Sequence, residues 1–271
     1  MNAPPEKQTS ASFTVPDPHP KLAPLNPDEP HHLGSVPYLN ARTLTYAIAE
    51  PVVLLEPSKL VLELGANRLQ AALVPLAEVL ENADAYHLVD GIAIGSLNSV
   101  YSVVLTHTLP VIRLKAVALD PASKTSNQLL RVLLQKYYKL KPAYVSPDQP
   151  ADGQLIIGDP AIAYRKSHPD ERFLDLAQSW HSHNGLPYVV AVWAVRRGAP
   201  DPAGLAKNLR AAAKIGLAAR DEIARNHFEY HYLTEHLYYH LGEPQKKAIA
   251  AFAADLVEIG QLAKKPELSY I

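Results

Sequence analysis

The sequence predicts an α/β fold with two lobes, and three observations support that prediction. Short apolar runs alternate with longer amphipathic segments from His31 onward, which is typical of folds built around a largely parallel sheet. Two β-branched runs occur where the chain would pass between lobes. A chain of 271 residues, of which 48% are hydrophobic, is long enough for one large domain or two lobes.

The first 30 residues differ in composition from the rest of the chain. They hold 8 of the 24 prolines and show no periodic apolar pattern. Such a segment buries too little apolar surface to offset the entropy of ordering it. We therefore predict a disordered Pro-rich tail over residues 1–30, lobe 1 over residues 31–107 and 198–271, and lobe 2 over residues 108–197.

Strands are predicted from short runs rich in aliphatic and β-branched residues. They run from His32 to Val36, Val52 to Leu55, Ala71 to Val74, Tyr101 to Thr106, Lys115 to Leu119, Leu155 to Ile157 and Tyr188 to Val195. Helices are predicted where a polar cap precedes an apolar repeat of about 3.6 residues. They run from Ser58 to Ala66, Leu76 to Glu81, Ser126 to Lys139, Asp175 to His183, Pro202 to Phe228, Tyr232 to Leu241 and Pro244 to Ala263. The late run of helices predicts that the C-terminal part packs back on the first lobe.

Two β-branched runs are predicted to connect the lobes. Val100–Thr106 precedes a proline break, and Tyr188–Arg196 precedes Gly198 and Pro200. Two antiparallel connecting strands would form a hinge. The expected fold is therefore α/β, a two-lobed type II periplasmic-binding-protein-like fold with the ligand cleft between the lobes.

The composition excludes several classes of protein. Lys and Arg number 26 against 27 Asp and Glu, so no basic surface for nucleic acid and no polybasic membrane anchor is expected. The absence of cysteine excludes disulfides, thiolate metal sites and cysteine nucleophiles. The longest apolar stretch, Leu186–Val195, is too short to cross a bilayer, and no secretory signal pattern opens the chain. We expect a cytoplasmic protein.

Several common catalytic motifs are missing from the sequence. Neither G-x-x-x-x-G-K-[ST] nor G-x-G-x-x-G is present, and H-E-x-x-H and G-x-S-x-G are missing too. His227 and His231 are four residues apart, as are His236 and His240, so each pair would share a helix face. A metal site is the alternative to a partly exposed aromatic surface there. We predict no metal and no cofactor.

Polar stretches fall at the ends of predicted strands, where open α/β folds bind ligands. In Gly34–Arg42 (GSVPYLNAR), Asn40 is expected in a turn before a helix that begins near Thr43. Its amide can donate and accept to a ligand, or it caps the helix. In Ile94–Ser102 (IGSLNSVYS), small residues permit close approach of a ligand or form an ordinary polar turn.

Two further stretches lead from a strand into a helix. Asp120–Asn127 (DPASKTSN) offers helix-start amides and hydroxyl donors, as an anion site or as a plain cap. Its hydroxyl donors are Ser123, Thr125 and Ser126. Ile156–Ala161 (IIGDPA) presents Asp159 as a general base or as an N-terminal cap.

Together these stretches resemble the chorismate dehydratase family of the futalosine route to menaquinone. The matching text is GSVPYLNAR from Gly34, AALVPLAEVL from Ala71, IGSLNSVYSVVL from Ile94, SKTS from Ser123, IIGDPA from Ile156 and GLPYVVAVWA from Gly185. The resemblance covers the chain from Leu33 to the helices near Ala263. Lys124 replaces the arginine of S-R-T-S and loses its bidentate fork, and Thr43 stands where the family commonly has proline.

The resemblance implies a carbon–oxygen lyase that removes water from chorismate to give 3-[(1-carboxyvinyl)oxy]benzoate, without a cofactor. Asn40 and Asp159 are the expected catalytic residues, and the base is Asp159, another group or the substrate's own enolpyruvyl carboxylate. The expected substrate-binding residues are Ser35, Arg42, Ser96, Asn98, Ser123, Thr125, Ser126 and Tyr188. Trp193 covers the substrate ring or lies in the core.

Two other functions stay open on the sequence. One is a cytoplasmic small-anion binding protein, which the same fold would host. The other is the sister lyase acting on cyclic dehypoxanthinylfutalosine, which would need a nucleoside-sized cleft. The expected partners are a small dianionic substrate and a second copy of the chain in a homodimer, with neither nucleic acid nor membrane.

Overall fold

A computed structural model describes residues 33–271. The predicted tail over residues 1–30 and the first residue of the first predicted strand, His32, lie outside the described residues. The strands are β1 (Leu33–Ser35), β2 (Val52–Leu54), β3 (Ala71–Pro75), β4 (Tyr86–Ser96), β5 (Val103–His107), β6 (Ala116–Ala118), β7 (Ala143–Val145), β8 (Gly153–Ile157), β9 (Phe173–Asp175), β10 (Tyr188–Arg196) and β11 (Tyr238–Leu241). The helices are α1 (Leu39–Thr45), α2 (Pro57–Gly65), α3 (Leu76–Glu81), α4 (Lys124–Val132), α5 (Gly158–Ser167), α6 (Leu176–Asn184), α7 (Pro202–Ala218), α8 (Arg220–Ile223), α9 (His227–His231) and α10 (Glu243–Glu258).

Six strands form the first sheet, in the order β11-β4-β10-β3-β1-β2. β1 pairs in parallel with β2 and β3, whereas β10 runs antiparallel to β3 and β4, and β11 runs antiparallel to β4. The sheet is therefore mixed, and the predicted largely parallel sheet is wrong here. The reason is that β4 leads out of the sheet and β10 returns to it, so the two run in opposite directions.

Five strands form the second sheet, in the order β7-β6-β8-β5-β9. β6 is parallel to β7 and β8, and β5 is antiparallel to β8 and β9. β5 arrives from the first sheet, so it too opposes its neighbours.

The chain passes between the sheets through residues 97–102 and residues 185–187. Both β-branched runs that we expected to connect the lobes pair within a sheet instead, β5 in the second and β10 in the first. Short loops make the crossings instead. The two longer runs lie within the sheets because pairing with neighbouring strands gives hydrogen-bond partners to their backbone N–H and C=O groups. The division of the chain into lobes stays a prediction. The assignment of the strands to two sheets favours lobe boundaries at these two loops rather than at residues 107 and 198.

The hydrophobic core includes both tryptophans, and each is almost completely buried. Trp193 on β10 lies in this core, so it does not cover a ligand in the cleft. α7 packs against α1 and β4, as the late run of helices predicts.

The predicted helix over Tyr232–Leu241 is wrong. A π-helical turn covers Tyr232–His236, and β11 follows it. In β11 Tyr239 is buried and His240 is exposed, which is the alternation of side chains in a strand. The segment forms a strand rather than a helix because it pairs with the otherwise open edge of β4. The helix predicted over Pro202–Phe228 is three helices: α7 ends at Ala218, α8 follows it, and Asn226 caps α9. No helix within residues 33–271 is long and apolar enough to span a membrane.

Candidate functional site

A cavity of about 60 Å³ lies between the two sheets, near the ends of β1, β3 and β8. Its described lining is Val36, Tyr38, Asn40, Pro57, Leu73, Pro75, Ile94, Ser123, Ile157, Val190 and Ala191. The wall is mostly apolar with a few polar side chains, as in many small-molecule sites. Of the predicted site residues, Asn40 and Ser123 belong to this lining.

Asn40 lies in the first turn of α1, because the helix begins at Leu39 and not near Thr43 as expected. Its Oδ1 is buried and has no hydrogen-bond partner within residues 33–271. Ser35, at the end of β1, is completely buried, and its Oγ also lacks a partner in that part of the chain. An unpaired buried polar atom costs about 1–3 kcal/mol. Two such atoms beside one strand end indicate a place for the polar groups of a ligand.

Contacts from other elements hold the start of α1. The residue before the helix, Tyr38, provides no side-chain cap. Instead Asp159 Oδ1, at the start of α5, accepts a hydrogen bond from the Leu39 N–H at 3.2 Å. On another side, the Tyr239 hydroxyl donates to the Asn40 carbonyl at 3.0 Å. Asp159 thus caps a helix on the opposite side of the cleft, and it is absent from the described lining of the cavity.

The start of α4 supplies a second polar wall. Ser123 caps α4, since its Oγ accepts a hydrogen bond from the Ser126 N–H at 3.3 Å. The Thr125 hydroxyl accepts from the Ala77 N–H of α3 at 3.0 Å, so it joins the two sides of the cleft. Ser126 Oγ and Tyr188 Oη are buried, and among the residues that the structure describes neither has a hydrogen-bond partner of good geometry. Burial raises the pKa of Tyr188, and the Ser126 hydroxyl beside it opposes that shift.

The turn after β4 is fixed by a carboxylate. Ser96 is buried at the strand end, and its Oγ accepts a hydrogen bond from the Asn98 N–H at 3.3 Å, while the Asn98 side chain is exposed. Asp175 Oδ2 accepts hydrogen bonds from the Ser99 hydroxyl and the Tyr101 N–H, both at 2.8 Å. The carboxylate that caps α6 therefore also anchors the first crossing between the sheets.

Two cationic side chains of the motifs lie away from the cavity lining. The first, Arg42, acts on Glu229. Burial favours the neutral form of Glu229, yet Arg225 and, more weakly, Arg42 hold the pKa of that carboxyl below its usual range. Lys124 Nζ lies 2.8 Å from Glu78 Oε2 and 2.5 Å from an oxygen of Glu81. The lysine that replaces the family's arginine thus pairs with two carboxylates of α3, across the cleft.

Two residues near the cavity were missed by the sequence analysis as site residues. Tyr38 is the ionisable side chain of the described lining, and its pKa is raised by burial and by nearby carboxylates, chiefly Asp120. Burial also raises the pKa of Asp120, whose Oδ1 accepts a hydrogen bond from the Ala122 N–H at 2.8 Å. Both lie inside quoted motifs, so their position in those motifs was the available signal.

The histidines of the C-terminal region do not form a metal site. Within residues 33–271, no group of three or more His, Cys, Asp or Glu side chains is placed to hold a metal ion. His227 and His231 stack on α9 with ring centroids 6.3 Å apart. His240 lies on β11, so it shares no helix face with His236.

Fold and cavity define a class of protein, the two-lobed type II periplasmic-binding-protein-like fold. A protein from Archaeoglobus fulgidus matches with a TM-score of 0.63 and 14% identity, over 85% of this chain and 98% of that chain. The alkanesulfonate-binding protein SsuA from Xanthomonas axonopodis pv. citri matches with a TM-score of 0.60 and 14% identity, over 86% and 94%. At these identities the likeness shows the fold alone, and it confirms the predicted fold class.

Sequence similarity identifies the family. The chain belongs to the menaquinone biosynthesis family, whose model matches residues 31–258. The chorismate dehydratase of Thermus thermophilus is 31% identical over 259 residues, which cover 84% of this chain and 95% of that protein. The chorismate dehydratase of Campylobacter jejuni is 38% identical over 74 residues, 27% of this chain and 26% of that protein. The family that the motifs resemble is thereby confirmed.

Proposed function

We propose that this protein is a chorismate dehydratase, a hydro-lyase that converts chorismate to 3-[(1-carboxyvinyl)oxy]benzoate and water. The observation that supports this most directly is the unpartnered Oδ1 of Asn40 in the wall of the cavity. It occurs in a chain that is 31% identical to the Thermus thermophilus chorismate dehydratase over 84% of its length.

Chorismate has two carboxylates, and the proposed site offers two groups of amide and hydroxyl donors that can bind them without a net positive charge. α4 is a helix of nine residues, and its first amides and positive dipole end favour an anion. We assign one carboxylate to this helix start with Ser123 and Ser126. We assign the other to the amides and hydroxyls of the turn at Ser96 and Asn98. The proposal assigns these two groups to one bound molecule of chorismate and leaves open which carboxylate each of them binds.

Further polar groups would complete the binding of chorismate. Ser35 and Tyr188 each hold a buried hydroxyl oxygen that lacks a hydrogen-bond partner of good geometry among the described residues, which suits a ligand oxygen or hydroxyl. Thr125 acts in the proposal through the contact that joins the two sides of the cleft. Arg42 contributes positive charge near the start of α1 rather than a direct contact.

We assign Asn40 to the ring hydroxyl that leaves. Its free Oδ1 is an acceptor, so it suits a hydroxyl donor better than a carboxylate, which only accepts. Holding that hydroxyl in one orientation aligns the carbon–oxygen bond that must break.

The base in the proposed reaction is the enolpyruvyl carboxylate of the substrate. The described lining of the cavity contains no carboxylate and no histidine. Asp159, the other candidate, has its Oδ1 bonded to the Leu39 N–H, which supports a positioning role. A carboxylate tethered near the ring proton gains a large effective concentration. Tyr38 keeps its proton because its pKa is raised, so it can donate to the departing oxygen.

The electron balance of this elimination needs no oxidant. The carbon–hydrogen bond next to the hydroxyl-bearing carbon breaks, and its electron pair forms the third double bond of the ring. The carbon–oxygen bond breaks in turn, and the oxygen takes a proton from Tyr38 and leaves as water. The proton that the enolpyruvyl carboxylate took from the ring then restores Tyr38, so the protons balance. Aromatisation supplies the driving force, so the protein's tasks are to hold, orient and desolvate a dianion.

The test is to incubate the purified full-length protein with chorismate, without added metal or cofactor. Chromatography with mass spectrometry should detect an aromatic product lighter than chorismate by one water, absent from a protein-free control. Asn40→Ala should abolish it, while Asn208→Ala, at an exposed position on α7, should not.

Other outcomes would favour the other functions. Chorismate that binds in a calorimetric titration but stays unchanged would favour a small-anion binding protein. Chorismate that neither binds nor reacts would favour the sister lyase, to be tested with cyclic dehypoxanthinylfutalosine. The proposal includes a cytoplasmic location, and light scattering after size exclusion would test the expected homodimer.

A further inference from the structure

We infer that Tyr239 is a positioning residue, which sets the orientation of Asn40 by holding its backbone carbonyl. The inference rests on the proposed function, because it concerns the residue to which that proposal assigns the leaving hydroxyl. Tyr239 lies on β11, 199 residues from Asn40 in the chain, outside every motif of the sequence analysis.

The helix that carries Asn40 is too short to fix its own position. α1 has seven residues, no cap from the side chain of its own N-cap residue, Tyr38, and no acidic residue in its first turn. Isolated helices of this length are unstable in water, so packing and outside contacts decide where the helix lies. Contacts to α1 therefore control the side chain of Asn40.

The hydrogen bond from Tyr239 is one that the helix does not need for itself. A carbonyl in the first turn already accepts the amide four residues later. The Tyr239 hydroxyl donates to the same Asn40 oxygen at 3.0 Å and lies beside the Thr43 side chain, one turn along α1. The bond thus ties α1 sideways to the first sheet, at the residue whose side chain lines the cavity.

The environment of Tyr239 keeps it a donor. Its side chain is 3% exposed, and burial raises its pKa above the usual range of a tyrosine. β11 is itself paired to β4, so the phenol is presented from a sheet and not from a loop. Groups that orient a functional residue work best when their own position is fixed in this way.

The neighbouring tyrosine provides a matched control. Tyr238 lies on the same strand, half-buried, with its side chain on the other face. Tyr239→Phe and Tyr238→Phe each remove one hydroxyl from β11 and conserve volume. Only the first of them removes the bond to Asn40.

The kinetic test compares these two variants on chorismate. Tyr239→Phe should lower kcat by about tenfold, with KM within about twofold of wild type, because a small displacement of an orienting group affects the transition state most. Tyr238→Phe should leave both constants unchanged. If Tyr239→Phe lowers the unfolding temperature and kcat matches wild type at a temperature where both are folded, the residue is only structural and the inference fails.

A second readout separates this inference from the proposed function. In protein labelled at asparagine side chains, the amide signal of Asn40 is assigned by its loss in Asn40→Ala. Tyr239→Phe should shift or broaden that signal, and Tyr238→Phe should not, whether or not the wild type consumes chorismate. An unmoved Asn40 signal would overturn the inference, whereas inactivity of the wild type on chorismate would overturn the proposed function alone.

Discussion

Asp159 and Leu39 lie on opposite sides of the cleft and 120 residues apart in the chain, yet the Asp159 carboxylate accepts a hydrogen bond from the Leu39 N–H at 3.2 Å. Asn40 directly follows Leu39 in the chain. The position of Asn40 is therefore coupled to how closely the two sides of the cleft approach each other. The Thr125 hydroxyl makes the equivalent contact to the Ala77 N–H. Two side chains from the second-sheet side of the cleft therefore cap two helices of the first-sheet side.

The two roles considered for Asp159 predict opposite results for one substitution. Asp159→Asn keeps an oxygen that can accept from the Leu39 N–H, so we expect it to retain most of the wild-type kcat with an unchanged pH profile. Asp159→Ala removes the acceptor and should lower kcat about tenfold or more, because the start of α1 is loosened. Steady-state kinetics between acid and neutral pH measures both.

The control for Asp159 is Asp201→Asn, which alters the carboxylate that caps α7 away from the cleft. It should leave kcat unchanged. If Asp159→Asn abolishes turnover and still binds chorismate, Asp159 is the general base, and the assignment of that role to the substrate carboxylate is wrong.

Thr125→Val should destabilise the protein by about 1–3 kcal/mol, because the Ala77 N–H is left without an acceptor in a buried place. Thr234→Val is the matched control, since its hydroxyl donates to the Tyr230 and His231 carbonyls, four and three residues earlier, in exposed hydrogen bonds. That change should stay within about 0.5 kcal/mol. Urea unfolding measures both, and equal losses for the two variants would contradict the role given to Thr125.

Gly216→Ala should destabilise the protein by about 1–3 kcal/mol through overpacking. A Cβ at Gly216 would lie 1.9 Å from the Thr43 carbonyl oxygen, so α7 and α1 would have to separate. Gly65→Ala is the control, because a Cβ there meets nothing within 4 Å. It should be neutral or stabilising by up to about 1 kcal/mol in thermal or urea unfolding. A Gly216→Ala protein as stable as wild type would show that α1 is free to shift.

Ionisation of Glu229 should make the free energy of unfolding depend on pH. Its pKa in the folded protein lies below the usual 4.5 of a glutamate, because Arg225 outweighs the effect of burial. The stabilisation is therefore present above about pH 4.5 and is lost as the pH falls through the lower folded value. Glu229→Gln should be less stable than wild type by about 1.5 kcal/mol at pH 7, and the difference should shrink below pH 4.5. A difference that is constant with pH, in unfolding curves between pH 3 and 7, would exclude this origin.

Local features of the site could be predicted from the sequence, and distant contacts could not. The cap of α4 involves Ser123 and Ser126, three residues apart, so the hydroxyl pattern alone predicts it. The contacts that hold Asn40 come from Asp159 and Tyr239, and no local pattern encodes a pairing across more than a hundred residues. The start of α1 was misjudged for the same reason, since its cap comes from another part of the chain.

The strands that were missed have physical reasons of their own. β7 and β9 have three residues each, too few to show a period of two. β4 is long, but Asp90 and Gly91 interrupt its apolar alternation, and Gly91 has a φ of +82° that favours glycine. β11 carries tyrosines and a histidine that suit a helix or a strand equally, and the open edge of β4 decides between them.

The cavity of about 60 Å³ is far smaller than the roughly 300 Å³ at which small-molecule pockets begin. We therefore predict that chorismate binds a more open conformer, in which the contacts from Asp159 to Leu39 and from Thr125 to Ala77 are loosened. Its apparent affinity is reduced by the fraction of molecules in that conformer. Weakening a contact across the cleft should therefore speed the entry of substrate and also speed its dissociation. With rising chorismate concentration, the rate of association should saturate at the rate at which the cleft opens.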